Sequence, residues 1–256
     1  VSRSASWLIT PLLLAGIVLV WEVYVRAFNV SSFILPPPLE VWKATVVLMQ
    51  DPRTYWHIWI TLLETVAGFA IAVVVGIVFG GLLGKIQTLE RTLNPLIVGL
   101  QVMPKVALIP LFIVWFGFGV TSKIVLAAVI AFFPIMTNTI LGIKSVERGH
   151  REVMQALNAG RWATFVNVEL PNSMPFILTG MEVGIVLATI GAIVGEYLGG
   201  NQGLGYMAVA TLNAFDVKSM FGVILLLTIL GLVLYFLVVM LRRFVTPWHE
   251  SVASGR

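Results

Sequence analysis

Met220–Leu241 reads MFGVILLLTILGLVLYFLVVML, 22 residues without one charge. About 20 apolar residues cross a bilayer as a helix, so this stretch is long enough to span. Ile124–Ile143 has the same character and likewise holds no charge. Working outward from these two, four further spans are expected: Trp7–Val25, Leu62–Leu83, Leu93–Phe116 and Phe176–Val194. Trp7–Trp21 has the look of a signal-peptide core. It is read as a span because five more follow. The chain opens on Val1, so a trimmed N-terminus is expected.

Composition agrees with a membrane fold. The 256 residues are 59% hydrophobic and 11% charged, with a mean hydropathy of +0.98. Average chains are roughly 25% charged, and a soluble chain this apolar lacks the polar residues to cover its surface. The net charge is +4. Apart from Arg242-Arg243, its 16 Lys and Arg are scattered singly between apolar runs, as in membrane loops rather than nucleic-acid sites. The absence of Cys excludes disulfides, thiolate metal sites and a Cys nucleophile.

With six spans both termini lie on one side. That side collects ten cations, namely Arg3, Lys85, Arg91, Lys144, Arg148, Arg151, Arg161, Arg242, Arg243 and Arg256. The other collects five: Arg26, Lys43, Arg53, Lys123 and Lys218. The positive-inside rule then puts both termini in the cytoplasm.

Three linkers stand out. Phe28–Ile60 is expected as an external loop opened by Pro36-Pro37-Pro38, and Gly195–Ser219 as a Gly-rich loop. Lys144–Pro175 is cytoplasmic and too polar to span. Its Val153, Leu157, Phe165, Val166, Val168 and Leu170 alternate with charges, which predicts two short amphipathic helices broken at Asn158-Ala159-Gly160. Glycines four apart at Gly76, Gly80 and Gly84, and at Gly180 and Gly184, predict close helix packing inside the chain, with a subunit interface as the alternative.

No nucleotide site is legible. Phe79-Gly80-Gly81-Leu82-Leu83-Gly84-Lys85-Ile86 has Phe and Ile where a phosphate loop needs Gly and Ser or Thr. Gly117-Phe118-Gly119 lacks a third Gly. His57, His150 and His249 are not at ligand spacing and are read as solvated or interfacial, and no catalytic triad is visible. The chain itself is therefore expected to be neither enzyme nor metalloprotein, with no cofactor of its own.

Charges within spans are stronger leads, since one at the bilayer centre costs at least ~3 kcal/mol. Glu64 and Glu196 are expected near membrane surfaces, in solvated or capping roles. The third span holds Pro95, Pro104 and Pro110, and cannot be one straight helix. Lys105 follows Pro104. Broken backbone at membrane depth is tolerated inside protein or beside a water-filled cavity, so Lys105 faces either a pathway or a structural carboxylate such as Glu182.

One segment resembles a family motif. Glu152 to Asn158, followed by Val168-Glu169-Leu170-Pro171, is similar to the EAA loop of ABC-importer permeases. Val153 and Met154 replace the two alanines, Asn158 the glycine and Val168 the isoleucine; after Gly, Asn best tolerates a left-handed turn. Further stretches resemble the nitrate, sulfonate, taurine and bicarbonate branch. In order they are Leu35-Pro36-Pro37-Pro38, Pro104 to Leu111, Trp115 to Gly119 with Ser122-Lys123, Gly203-Leu204-Gly205-Tyr206, and Thr246-Pro247-Trp248-His249.

The resemblance implies an all-α type I importer permease, multi-pass in a bacterial inner membrane. It implies a second permease copy, two cytoplasmic ATPase subunits that hold the ATP and Mg, and a periplasmic or lipid-anchored solute-binding protein. Glu152, Val153, Met154, Ala156, Leu157, Asn158, Ala159, Gly160 and Arg161 would dock the ATPase. Gln101, Met103, Pro104, Lys105, Glu182 and Glu196 would line the path by alternating access. An anion such as nitrate, bicarbonate or a sulfonate fits Lys105, with an uncharged heterocycle as the alternative. A secondary transporter would need inverted half-helix repeats, and an intramembrane enzyme paired catalytic residues.

Overall fold

The structure, a computed structural model, describes residues 3–247. Every regular element among them is helical: α1 (Arg3–Ala27), α2 (Pro38–Gln50), α3 (Pro52–Lys85), α4 (Gln87–Val102), α5 (Ile109–Phe116), α6 (Val120–Lys144), α7 (Arg148–Ala156), α8 (Arg161–Thr164), α9 (Leu170–Gly199), α10 (Leu204–Asn213) and α11 (Val217–Val245). A 3-10 turn, Lys105–Leu108, precedes α5, and a π turn, Phe165–Glu169, joins α8 to α9. Trp248, His249 and Arg256 lie outside the described residues.

Five stretches are long and apolar enough to span: Ile9–Ala27, Pro52–Lys85, Val120–Lys144, Arg161–Gly199 and Val217–Val245. The sixth is a bent pair, α4 with Lys105–Phe116, turned by 83° at its break. The prolines cause this. Pro104 supplies the last extended residue before the 3-10 turn, and Pro110 starts α5 where no N–H is needed.

Three expectations are corrected. The loop expected at Phe28–Ile60 contains α2 and the first turns of α3, each opened by a proline at the helix start (Pro38, Pro52). The loop expected at Gly195–Ser219 contains the end of α9 and all of α10. The second amphipathic helix is not separate. It runs through the π turn into α9, so this span begins at Arg161 rather than Phe176. Pro171 and Pro175 do not interrupt it. Asn172 Nδ2 donates to Val168 O at 2.8 Å and the Ser173 hydroxyl to Glu169 O, so side chains bond carbonyls along this irregular turn.

α6 is the axis of the fold, with α3 on one side and α9 on the other. Small residues let them approach: Ala72, Ala127, Ala131, Ala188 and Ala192 surround Ile135 in a buried cluster. A Cβ on Gly80 would lie 2.6 Å from Met136 O, and one on Gly184 2.8 Å from Ile135 Cδ1. The four-residue glycine spacing therefore serves packing inside the chain. α1 stands apart, with Leu12, Leu13, Leu14 and Leu19 exposed, and touches α11 through Trp21 on Phe221 at 6.1 Å.

Candidate functional site

Three places concentrate polar chemistry. The first is the turn after α7. Leu157 N bonds Val153 O at 3.0 Å and Ala159 N bonds Met154 O at 2.9 Å, which closes the helix end. Between them Asn158 takes φ 51°, the left-handed position expected of it. Glu152, Val153, Ala156, Leu157, Asn158, Gly160 and Arg161 are exposed, while Met154 and Ala159 are half-buried. Leu157 is 71% exposed and Trp162 75%, an apolar face that none of the described residues covers.

The other side of α7 is pinned. Arg151 donates to Ile143 O at 3.0 Å and pairs with Glu169 at 3.5 Å; Glu169 also pairs with Lys85 at 2.9 Å. The sequence singled out Glu152 and passed over Glu169. Both carboxylates lie in one motif, but Glu169 is the buried one that holds the segment to α3.

The second place is the break between α4 and α5. Lys105 Nζ donates to Gln101 O at 2.9 Å, closing a carbonyl that the interrupted helix leaves free, and sits 4.9 Å over the Phe133 ring. Beside it is a cavity of about 310 Å³ lined by Met103, Lys105, Leu108, Phe132 and Phe133, with α3 side chains opposite. Lys105 does not meet Glu182. That carboxylate lies on α9 and pairs with Arg242 of α11 at 3.1 Å. Gln101, Met103, Pro104 and Lys105 thus cluster, while Glu182 and Glu196 lie elsewhere.

The third place is the start of α10; the sequence marked Gly203 to Tyr206 and a capping role for Glu196, but did not join the two or bring in His57 and Thr61. Three consecutive N–H groups point into the protein. Gly203 N donates to His57 Nδ1 at 3.0 Å, Leu204 N to Thr61 Oγ1 at 2.8 Å, and Gly205 N to Glu196 Oε2 at 2.5 Å. Thr61 donates to Glu196 Oε1 at 2.7 Å. α10 therefore has its N-terminal donors capped from α3 and α9. Gly203 has φ +98°, and a Cβ there would strike the Glu196 carboxyl.

Glu64 and Glu196 are each 1% exposed, which overturns a solvated role for either, though Glu196 does cap. Glu64 lies against Glu196. Lys123, counted above as a loop cation, is buried and bonds Phe118 O and Gly119 O. His57 is half-buried and accepts from Gly203 N, which removes the solvated of its two expected settings, solvated or interfacial. His57 and Thr61 lie more than a hundred residues from Glu196 and the start of α10, so no local signal announces these contacts. Among the described residues no group of His, Asp and Glu is placed to hold a metal.

Comparison with known proteins fits this geometry. Residues 72–248 match the family model described as binding-protein-dependent transport system inner membrane component. The chain is 32% identical over 249 residues to the formylaminopyrimidine transport permease of Halalkalibacterium halodurans, covering 97% of this chain and 99% of that one. It is 29% identical over 244 residues to the taurine transport system permease of Escherichia coli K12, covering 93% and 89%. In fold it is similar to the MetNI methionine ABC transporter in its inward-facing form, at a TM-score of 0.67, 22% identity, 77% of this chain and 99% of that chain. The chain belongs to the binding-protein-dependent transport system inner membrane component family, and is the permease subunit of an ABC importer for small solutes.

Proposed function

We propose that two copies of this chain form one translocation path, that α7 and the Asn158 turn dock a cytoplasmic ATPase, and that an external binding protein delivers the solute. The observation that carries the coupling role is the pairing of an open apolar face with a rigid lever. Val153 and Leu157 stand exposed at a turn whose far side is pinned to α3. From Arg161 the backbone runs as one 39-residue helical stretch to Gly199. At 1.5 Å per residue that is about 58 Å. A displacement at the turn is thus passed along α9 to Glu196, which holds the start of α10. Two discrete arrangements of this lever would give alternating access.

The solute is an organic molecule with an apolar or aromatic body, and this favours the heterocycle over nitrate or bicarbonate. The cavity beside Lys105 is walled by Phe132, Phe133, Met103 and Leu108. A small inorganic anion would lose its hydration there and find one ammonium already bonded to Gln101 O. Aromatic walls repay that cost for a flat ring. The solute can be identified by mass spectrometry of material extracted from the external binding protein. A heterocycle, or an organic sulfonate with an apolar body, supports this reading; nitrate or bicarbonate refutes it.

Both termini and the α7 turn lie in the cytoplasm. Reporters fused after Arg91 and Arg161 should read cytoplasmic and one at Asp51 external. A cytoplasmic Asp51 would sink this topology.

A further inference from the structure

A second cavity, of about 490 Å³, opens where the end of α3 meets α7 and α8. Lys85, Arg151 and Arg161 line it, against one carboxylate, Glu169. Glu169 is already engaged by Lys85 at 2.9 Å and Arg151 at 3.5 Å. Arg161 is exposed and has no ion pair among the described residues. Among the described residues that line it, the cavity therefore keeps two positive charges with no carboxylate of their own.

Its depth follows from the spans. Lys85 is the last residue of one membrane-crossing helix, and Arg161 the first of another. Ile86, in the wall of the cavity, is 48% exposed, an apolar group next to the end of a span. The Lys85 ammonium stands 4.0 Å over the Phe165 ring, which restrains it beside the cavity. Cations converging on a pocket at the end of adjacent spans suit a phosphate diester anchored by its own acyl chains.

We propose that this cavity binds the phosphate of an anionic phospholipid headgroup, and so ties the coupling segment to the membrane. The ligand chemistry, a phosphate oxyanion held by Lys and Arg, is shared with free phosphate. The exposed apolar Ile86 in the cavity wall favours the lipid.

The test uses the permease together with its ATPase, in phosphatidylcholine nanodiscs doped with phosphatidylglycerol, and reads retained lipid by native mass spectrometry. Wild type should hold phosphatidylglycerol. Lys85→Gln and Arg161→Gln should each weaken retention about fivefold, the effect of removing one basic residue near an anionic surface. Arg161→Lys should keep most of it, and Arg53→Gln, at the other end of α3, all of it. Glu169→Gln should hold lipid more tightly, because Lys85 and Arg151 are released to the phosphate; a merely structural ion pair predicts the opposite. Equal retention in every variant would overturn the proposal. So would inorganic phosphate occupying the site equally well in undoped nanodiscs, which would assign it to a free anion. Lipid bound only after the ATPase is stripped away would also overturn it, assigning the cavity to an acidic group of that subunit.

Discussion

Gly203→Ala tests the cap at the start of α10. Gly203 has φ +98°, so any side chain there is strained, by ~1–2 kcal/mol for a left-handed L-residue. The added Cβ also falls on the Glu196 carboxyl. That group must retreat from Gly205 N–H at 2.5 Å or from the Thr61 hydroxyl at 2.7 Å. Leaving one buried partner unsatisfied costs ~1–3 kcal/mol, so the total is about 2–5 kcal/mol. Gly117→Ala is the control, because Gly117 has φ +79° and nothing within 4 Å of its Cβ position. It should lose only the strain, ~1–2 kcal/mol. Unfolding in mixed micelles, titrated with denaturing detergent, compares the two. In a Glu196→Ala background the clash disappears, so the added cost of Gly203→Ala should fall to the strain alone. Equal losses for Gly203→Ala with and without Glu196 would refute the close-approach argument.

Other consequences can be measured alongside. Gly80→Ala places a Cβ 2.6 Å from Met136 O and should cost ~1–3 kcal/mol by overpacking, whereas Gly99→Ala, with open space around it, should be neutral or stabilising. Asn158→Ile forces a β-branched residue to φ 51° and should cost ~1–2 kcal/mol and lower ATPase co-purification, while Asn158→Gly should preserve both. Arg242→Ala removes the partner of the largely buried Glu182 and should cost ~2–4 kcal/mol; Glu182→Gln should recover part of that loss in the double variant.

The spans were legible because uncharged runs such as Met220–Leu241 leave no other solution. The break at Pro104 was legible because proline removes a donor whatever surrounds it. α2 and α10 were not, since their prolines and glycines read as loop signals. In the structure Pro38 opens a helix, and Gly203 and Gly205 make room for Glu196. The turn after α7 could be read locally, because the left-handed demand falls on Asn158 itself. The burial and partners of Glu196 could not, because Thr61 lies 135 residues away and the start of α10 reads as loop. The extension of α9 back to Arg161 was hidden by Pro171 and Pro175, which a helix tolerates here through its π turn and the side-chain bonds of Asn172 and Ser173.

The central claim, that the exposed face of α7 is where the ATPase docks, is tested most directly by the amount of ATPase that co-purifies with Glu152→Lys permease. Glu152 is exposed and takes no part in the Lys85–Glu169–Arg151 cluster, so its reversal leaves the fold and membrane insertion intact. At a docking contact it sets like charges together, which costs several kcal/mol at an interface. The account predicts normal permease in the membrane with ATPase recovery reduced at least tenfold, a loss of ~1.4 kcal/mol or more. Full recovery of the ATPase with Glu152→Lys, beside normal uptake, would contradict it.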